Sequence, residues 1–267
     1  MEIAWSVFAG LAAVALVAGF VDAIAGGGGL LTVPALLLAG FDPVSTLATN
    51  KLQSSFGSGS AVYAFGRHGH VDFRASTGMV AMTFVGACLG VLAVSIAPLS
   101  LLSALLPVLL VAMALYFALS PKLSDADAAA RLSPRAFALT AAPLVGFYDG
   151  VFGPGTGSFF LLCFVTLLGY GVLRATAHTK LLNVTSNVAG LLLFAFSGKV
   201  AWLVGLAMGV GQFVGAQVGS RLAIRQGARL VRPLLVCVCC AMALKLTLDP
   251  SNPLHHLVVS LFHESGR

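Results

Sequence analysis

Residues 19–53 read GFVDAIAGGGGLLTVPALLLAGFDPVSTLATNKLQ, and this stretch decides the fold. An apolar segment runs into an aspartate and four consecutive glycines, and a second apolar segment then leads to a lysine enclosed by hydrophobic sequence. Residues 146–181 repeat this order as GFYDGVFGPGTGSFFLLCFVTLLGYGVLRATAHTKL. Duplicated glycine breaks and duplicated buried lysines are typical of a transporter.

The composition is that of an integral membrane protein. Hydrophobic residues make up 58% of the chain and charged residues 9%, whereas roughly a quarter of a soluble domain is charged. The 47-residue run from Ala75 to Pro121 has no charged residue and would cross a bilayer of ~30 Å about twice, with Ala97-Pro98 as the turn. Because the apolar runs are continuous rather than alternating, we expect helices and not strands.

Charge and cysteine content argue against several other classes. The net charge of +6 comes from basic residues in short loops, where positive-inside bias explains them, so nucleic-acid binding is not predicted. The five cysteines have no metal-ligand spacing with nearby histidines, and neither a metal nor another cofactor is expected. The start Met1-Glu2-Ile3 lacks the basic region of a cleavable signal peptide, so residues 3–24 are predicted to be a retained first span.

A shift of 129 positions aligns the two parts of the chain. Lys51 falls on Lys180, and the G-x-x-x-G pair Gly86/Gly90 falls on Gly215/Gly219; upstream, Gly19-Phe20, Asp22, Gly26 and Gly28 match at a shift of 127. This predicts an internal repeat. The expected divisions are residues 1–121 for the first transmembrane repeat, 122–134 for a cytoplasmic linker, 135–248 for the second transmembrane repeat and 249–267 for a C-terminal tail.

The basic loops give the relative orientation of the repeats. In the first copy Arg67 and Arg74 follow the lysine helix, and the next turn has no basic residue. In the second copy the equivalent loop has only Lys199, and the next turn is basic instead. Its arginines are Arg221, Arg225, Arg229 and Arg232. The basic loop has changed position, as expected for copies of opposite topology in the inner membrane, with both termini outside.

This parity requires the short apolar segments at residues 30–39 and 158–168 to count as crossings, or to combine with broken helices into one. At ~1.5 Å per residue each covers about half of the hydrocarbon thickness. The predicted fold class is therefore an all-α polytopic membrane protein of two inverted-topology repeats. Each repeat has about five segments, with glycine-broken or half-length helices at the centre.

Both lysines are predicted to lie deep in the membrane. Asp42-Pro43 is typical of a helix start, which places Lys51 about 12 to 13 Å along its helix, close to the midplane. Lys180 lies at the same depth if its helix begins near Gly171. A lysine there costs at least ~2.5 kcal/mol, so neither side chain should face lipid.

The neighbours of the lysines favour an anion site. At i+3 and i+7 each lysine has neutral hydrogen-bonding groups, Ser54 and Ser58 in the first copy and Asn183 and Asn187 in the second. Asn50, Gln53, Thr179 and Ser186 extend the polar surface. The glycine breaks should add free N–H groups and helix N-termini that attract anions. The candidate binding residues of the breaks are Gly27, Gly28, Gly29, Gly155, Thr156 and Gly157.

Alternatives remain for the charged groups. Lys51 and Lys180 could form structural ion pairs with Asp22 and Asp149, and this is compatible with anion binding if the aspartates sit behind the lysines. Asp22, Asp149 and His178 are candidate proton carriers, although the aspartates could equally serve to end the first helix of each copy.

The stretch 19–53 closely resembles the signature of the TauE/SafE sulfite exporter family, also called toluene sulfonate uptake permeases. The second copy, with its Gly-x-Gly and Ala-His-Thr-Lys, resembles the degenerate second half of that family, so the resemblance covers nearly the whole chain. It implies a bacterial inner-membrane transporter for sulfur-containing anions such as sulfite, sulfonates or sulfoacetate. The second copy departs from the first in having Thr179 in place of Asn50.

The sequence thus predicts a secondary transporter of small oxyanions that works by alternating access. The anion would be held at the midplane by Lys51, Lys180, their polar neighbours and the glycine breaks, with protons as a candidate coupling ion. Two other classes compete: an intramembrane enzyme acting on lipid through His178 and the aspartates, and an assembly or scaffold protein that uses its G-x-x-x-G pairs for association.

Overall fold

The computed structural model describes residues 5–93 and 125–227, with separate residues between 229 and 244. This part of the chain is helical, as predicted, and contains no strand. The predicted turn at Ala97-Pro98, the segment after it and the tail at 249–267 lie outside the described residues. The helices are α1 (Trp5–Ala25), α2 (Gly28–Leu38), α3 (Pro43–Arg67), α4 (Thr77–Ala93), α5 (Pro134–Leu139), α6 (Ala141–Val151), α7 (Thr156–Leu167), α8 (Val172–Phe196) and α9 (Trp202–Gln226).

Three of the described helices, α1, α8 and α9, are long and apolar enough to cross a membrane. α3 is equally long, with 25 residues, but it carries the polar stripe around Lys51. Its start is as predicted: Asp42 accepts hydrogen bonds from the N–H groups of Val44 and Ser45 at 3.1 Å each, and Pro43 is the first helical residue. Hydrogen bonds from Ser45 hold the pKa of the Asp42 carboxyl below its ordinary value.

The predicted half-length helices are present as α2, with 11 residues, and α7, with 12 residues. The first glycine break is shorter than predicted. Only Gly26 and Gly27 lie outside helices, because Gly28 and Gly29 already form the first turn of α2. In the second break the chain is non-helical from Phe152 to Gly155, and α7 starts at Thr156.

The first helix of the second half is interrupted, unlike α1. α5 ends at Leu139 and α6 starts at Ala141, with Thr140 at φ −121° and ψ −77° between them. Pro143 has no N–H to donate to the carbonyl of Leu139, and its ring crowds that carbonyl. The interruption therefore falls one turn before the proline.

The G-x-x-x-G pairs pack helices closely. A Cβ atom on Gly215 or Gly219 would collide with the backbone oxygens of Leu16 and Phe20 in α1. Gly86 and Gly90 of α4 meet α6 in the same way, at the backbone oxygens of its residues 143 and 147. In each pair of helices, the later residue of one helix contacts the later residue of the other. α1 is therefore parallel to α9, and α4 is parallel to α6.

The remaining contacts fix the direction of the other long helices. Leu52 of α3 packs against Gly205 of α9, and Ser60 accepts a hydrogen bond from the Gln217 amide at 2.9 Å, so α3 is parallel to α9. α3 is antiparallel to α8, because Lys51 lies against Gly190 whereas Gly59, further along α3, lies near the earlier residue Val184.

α4 runs alongside α8 in the same direction. The N–H of Asp72, shortly before α4, donates to Nε2 of His178 at 3.3 Å, and Val91 and Phe194 near the two helix ends belong to one apolar cluster. Together with the preceding contacts, this means that α1, α3 and α9 run in one direction through the molecule, and that α4, α6 and α8 run in the other.

Candidate functional site

Lys51 forms an ion pair with an aspartate from the other half of the chain. The side chain is 2% exposed, and its Nζ lies 2.9 Å from Oδ1 of Asp149. The same ammonium donates a hydrogen bond to the backbone oxygen of Asp149 at 2.6 Å. Glycine at position 190 leaves room for the lysine stem, since a Cβ there would lie 3.1 Å from Cδ of Lys51.

Lys180 forms the reciprocal pair. The side chain is fully buried, and its Nζ lies 3.0 Å from Oδ2 of Asp22. The other carboxylate oxygen, Oδ1, accepts a hydrogen bond from the N–H of Gly28 at 3.0 Å, in the first turn of α2. The positive end of the α2 dipole thus adds to the stabilisation of this carboxylate.

The two lysines do not meet. Lys51 lies level with Gly190, which is ten residues further along α8 than Lys180, or about 15 Å along the helix axis. The contacts are those of the alternative weighed from the sequence, in which each lysine pairs with Asp22 or Asp149. Direct binding of substrate by either ammonium therefore stays a prediction.

A small polar cavity of about 20 Å³ lies between the two ion pairs. This volume admits about one water molecule. Both aspartates line it, and neither lysine does. The lining residues are Asp22, Gly26, Gly29, Asn50, Ser54, Asp149, Gly153, Gly155, Thr156, Gly157, Asn183 and Asn187. Within the described part of the chain, no group of three His, Cys, Asp or Glu side chains could hold a metal ion.

Two asparagine amides present N–H groups to this cavity. Oδ1 of Asn50 accepts hydrogen bonds from the Thr32 hydroxyl at 2.7 Å and from the Gln53 amide at 2.6 Å. These bonds fix the orientation of the amide, so its Nδ2 points towards Gly29 at the cavity wall. Nδ2 of Asn183 lies beside Gly157, which also lines the cavity.

The two glycine breaks touch each other at the cavity. Gly26 lies so close to Gly157 and Ser158 that a Cβ on Gly26 would be 2.6 Å from the Ser158 nitrogen. The Ser158 hydroxyl donates to the backbone oxygen of Ala25 at 2.9 Å, which joins the start of α7 to the end of α1. Only glycine fits this contact, and Gly26 also has a φ of +80°.

The two ion pairs differ in their surroundings. Both oxygens of Asp22 have partners, as described above. Oδ1 of Asp149 takes the Lys51 ammonium and the Thr156 hydroxyl, the latter at 2.8 Å. Oδ2 of Asp149 is buried and has no partner among the described residues. The carboxylate of Asp149 therefore has a free acceptor position next to the cavity, and that of Asp22 does not.

Several predicted site residues do not line the cavity. Gln53 is buried in the network that orients Asn50, and the buried Thr179 hydroxyl has no partner in the described part of the chain. Gly27 and Gly28 are next to the cavity without lining it. Gly26 and Gly153 do line it, and their match at a shift of 127 was the signal that could have identified both.

The structure places His178 away from the ion pairs. Its Nδ1 lies 2.9 Å from the backbone oxygen of Arg174, and its Nε2 accepts from the N–H of Asp72. Because Nδ1 faces a carbonyl and Nε2 faces an N–H, the neutral tautomer with the proton on Nδ1 satisfies both nitrogens. His178 thus contacts backbone outside the cavity. No contact with Asp22 or Asp149 supports its predicted part in proton transfer.

Comparison with known proteins gives one matching family and several similar membrane proteins. The sequence profile of the family described as Sulfite exporter TauE/SafE matches residues 11–246. The chain is 55% identical over 253 residues to a probable membrane transporter protein, ORF9, of a Sinorhizobium species, with 95% of this chain and 97% of the relative covered. It is 51% identical over 236 residues to the probable membrane transporter protein YfcA of Escherichia coli K12, with 88% of each covered. A probable membrane transporter protein of Haemophilus influenzae is 43% identical over 249 residues, or 93% of this chain and 98% of the relative. No solved structure matches the chain.

Proposed function

We propose, because this chain belongs to the TauE/SafE sulfite exporter family, that it is a secondary transporter of small sulfur-containing oxyanions. The family and the named relatives make the protein a multi-pass membrane transporter and not an enzyme. Sulfite, sulfonates and sulfoacetate are the proposed substrates, and alternating access in the inner membrane is the proposed mechanism. The observation that carries the proposal is the pair of Lys–Asp ion pairs that join the two halves on either side of a polar cavity.

The directions of the helices support two inverted repeats. The counterparts of α1, α3 and α9 in the repeat alignment are α6, α8 and α4. Each helix runs opposite to its counterpart, according to the contacts given above. One repeat can then rock against the other around a fixed central site. Positive-inside bias places the linker at 122–134 in the cytoplasm and both termini outside.

The cavity between the ion pairs is the proposed anion site. Its walls offer the amide donors of Asn50 and Asn183, and the N-terminal ends of α2 and α7 add partial positive charge. Neutral donors around a helix start suit the oxygens of a sulfite or sulfonate group. Since a cavity of about 20 Å³ admits only one water, the oxyanion enters a conformation in which the halves have moved apart.

The lysines change partner when the anion binds. An oxyanion in this cavity faces the carboxylates of Asp22 and Asp149, and the repulsion is relieved if a carboxylate takes up a proton. The lysine released from that carboxylate then becomes the charge partner of the anion. The aspartates thus carry protons and the lysines carry the oxyanion, which makes the coupling ion a proton that moves together with the anion.

Substitution of the lysines tests this role in proteoliposomes. Hydrogen bonds to charged groups contribute about 1.5–3 kcal/mol, so Lys51→Met and Lys180→Met should each lower anion affinity roughly ten- to a hundredfold and abolish flux. Lys199→Met, which removes an exposed lysine from the α8–α9 loop, is the matched control and should transport normally. Retained flux in both buried-lysine variants would refute the role of the lysines.

A double variant separates folding from binding. Removal of Lys51 alone leaves Asp149 buried without its partner, which costs about 3–5 kcal/mol in known buried pairs, whereas neutralising both partners is often harmless. Lys51→Met/Asp149→Asn should therefore recover the melting temperature of the wild type and still lack anion flux. If flux returned together with stability, the ion pair would be structural only.

A further inference from the structure

A second cavity, of about 340 Å³, opens where α3 and α9 end. Its lining is basic: Arg67 and His68 close α3, and Arg221 and Arg225 lie near the end of α9, with Ile224 between them. α3 and α9 are parallel, so their C-terminal ends lie on the same side of the molecule. That side carries the basic loops, which positive-inside bias assigns to the cytoplasm. This basic cavity shares no residue with the central one.

The arginines of the basic cavity form no ion pair with a carboxylate of the described residues. Every ion pair among the described residues lies elsewhere, so within this part of the chain no carboxylate is within 4.0 Å of Arg67, Arg221 or Arg225. The carbonyl ends of the two helices favour positive charge, which explains arginine at each position but not the convergence of three guanidinium groups on one cavity. An anion held between them would relieve their mutual repulsion.

The surroundings place the basic cavity at the level of lipid headgroups. The Arg67 guanidinium lies 5.9 Å from the ring centroid of Tyr63, and Tyr63 and Phe73 are both exposed at this end of α3. Exposed tyrosine side chains such as that of Tyr63 concentrate at membrane–water interfaces. Ile224 adds an apolar surface beside the arginines. The cavity therefore joins a cationic part to an apolar part at the edge of the hydrocarbon layer.

We propose that the basic cavity binds the phosphate of an anionic phospholipid from the cytoplasmic leaflet. Guanidinium groups pair with phosphate oxygens through two parallel hydrogen bonds, and Arg221 and Arg225, at i and i+4, present theirs from one face of α9. Arg67 and His68 approach the same phosphate from α3, and Ile224 contacts the apolar part of the lipid. The bound lipid links the ends of one helix from each half.

The test uses the full chain in nanodiscs of phosphatidylcholine with and without phosphatidylglycerol. Wild-type protein should retain phosphatidylglycerol in native mass spectrometry and melt at a higher temperature when that lipid is present. Arg221→Gln/Arg225→Gln should lose the shift, with affinity falling about fivefold for each arginine removed. The matched control is Arg74→Gln, an exposed basic residue on the same side that does not line the cavity; it should behave as wild type.

Three results would overturn the proposal: equal retention of phosphatidylglycerol by the double variant, equal stabilisation of the wild type by phosphatidylcholine alone, and complete displacement of the lipid by millimolar inorganic phosphate, which would assign the site to a free anion. If the double variant fails to fold, Arg67→Gln changes the opposite wall and must lower retention by itself. Substitutions at the central ion pairs should leave lipid retention unchanged, so this proposal and the transport proposal can fail separately.

Discussion

Among the individual residues, the two aspartates differ in their contacts, and this difference bears on which of them would carry the proton in the proposed mechanism. Asp22 already uses both oxygens, one for the Gly28 N–H and one for Lys180. Asp149 concentrates its contacts on Oδ1 and leaves Oδ2 buried without a partner among the described residues. If Asp149 is protonated on Oδ2, Lys51 keeps the backbone oxygen of Asp149 as an acceptor. In the proposed mechanism, we therefore expect Asp149 to be the first proton carrier.

This difference predicts which aspartate controls the pH dependence of binding. If a proton binds together with the anion, affinity should fall about tenfold per pH unit above the pKa of the carrier. An organosulfonate is the appropriate probe because its own charge does not change over this range. Asp149→Asn should bind it with little pH dependence, whereas Asp22→Asn should keep the dependence of the wild type. Calorimetric titration at several pH values measures both, and the opposite order would identify Asp22 as the carrier.

At the level of helices, features set by neighbouring residues could be predicted from the sequence, whereas contacts between distant residues could not. The start of α3 followed from Asp42-Pro43, because the cap of a helix depends on neighbouring residues alone. The partners of the lysines could be stated only as one of two alternatives, because Lys51 and Asp149 are 98 residues apart in sequence. The orientation of Asn50 by Thr32 had no signal at all, since the repeat has no polar equivalent of Thr32.

The linker contacts the start of α8 and caps it with a carboxylate. Oδ1 of Asp127 accepts the N–H of Gly171 at 2.7 Å, and Arg174 donates to Oδ2 at 2.5 Å. Burial raises the pKa of Asp127, but the bond from Gly171 and the charge of Arg174 outweigh it, so the pKa lies below its ordinary value. Such a carboxyl group stabilises the docked linker when the pH is above the pKa that the group has in the unfolded chain. This contribution is lost as the pH falls through the lower pKa of the folded state.

Asp127→Asn should therefore loosen the linker at neutral pH in the way that acid does in the wild type. The amides of Ala128 and Arg131, which donate to backbone oxygens of the α7–α8 turn at 2.7 and 2.8 Å, should exchange hydrogen faster. Mass spectrometry of exchange in detergent or nanodiscs measures this effect. Asp42→Asn removes a comparable capping carboxylate from α3 and should leave linker exchange unchanged. Unchanged exchange in Asp127→Asn would show that the linker docks without this carboxylate.

At the scale of the whole molecule, each half neutralises the buried charge of the other. Lys51 of the first half depends on Asp149 of the second, and Lys180 of the second depends on Asp22 of the first. A half on its own would bury a lysine without a counter-charge, at a cost of at least about 2.5 kcal/mol. We therefore expect neither half to fold stably without the other, and any motion that separates them at the cavity must provide new partners for these charges.

The proposed mechanism has inverted repeats that rock around a central site, and labelling from each side of the membrane tests whether the repeats are inverted. His68 and Ser197 are counterparts at the shift of 129, and both are exposed just after α3 and α8. In a background without the five native cysteines, a membrane-impermeant maleimide should reach His68→Cys only from the cytoplasmic side, where the basic loops lie. It should reach Ser197→Cys only from the outer side. Reaction of both from the same side would mean that the repeats are not inverted, and it would contradict the proposed topology.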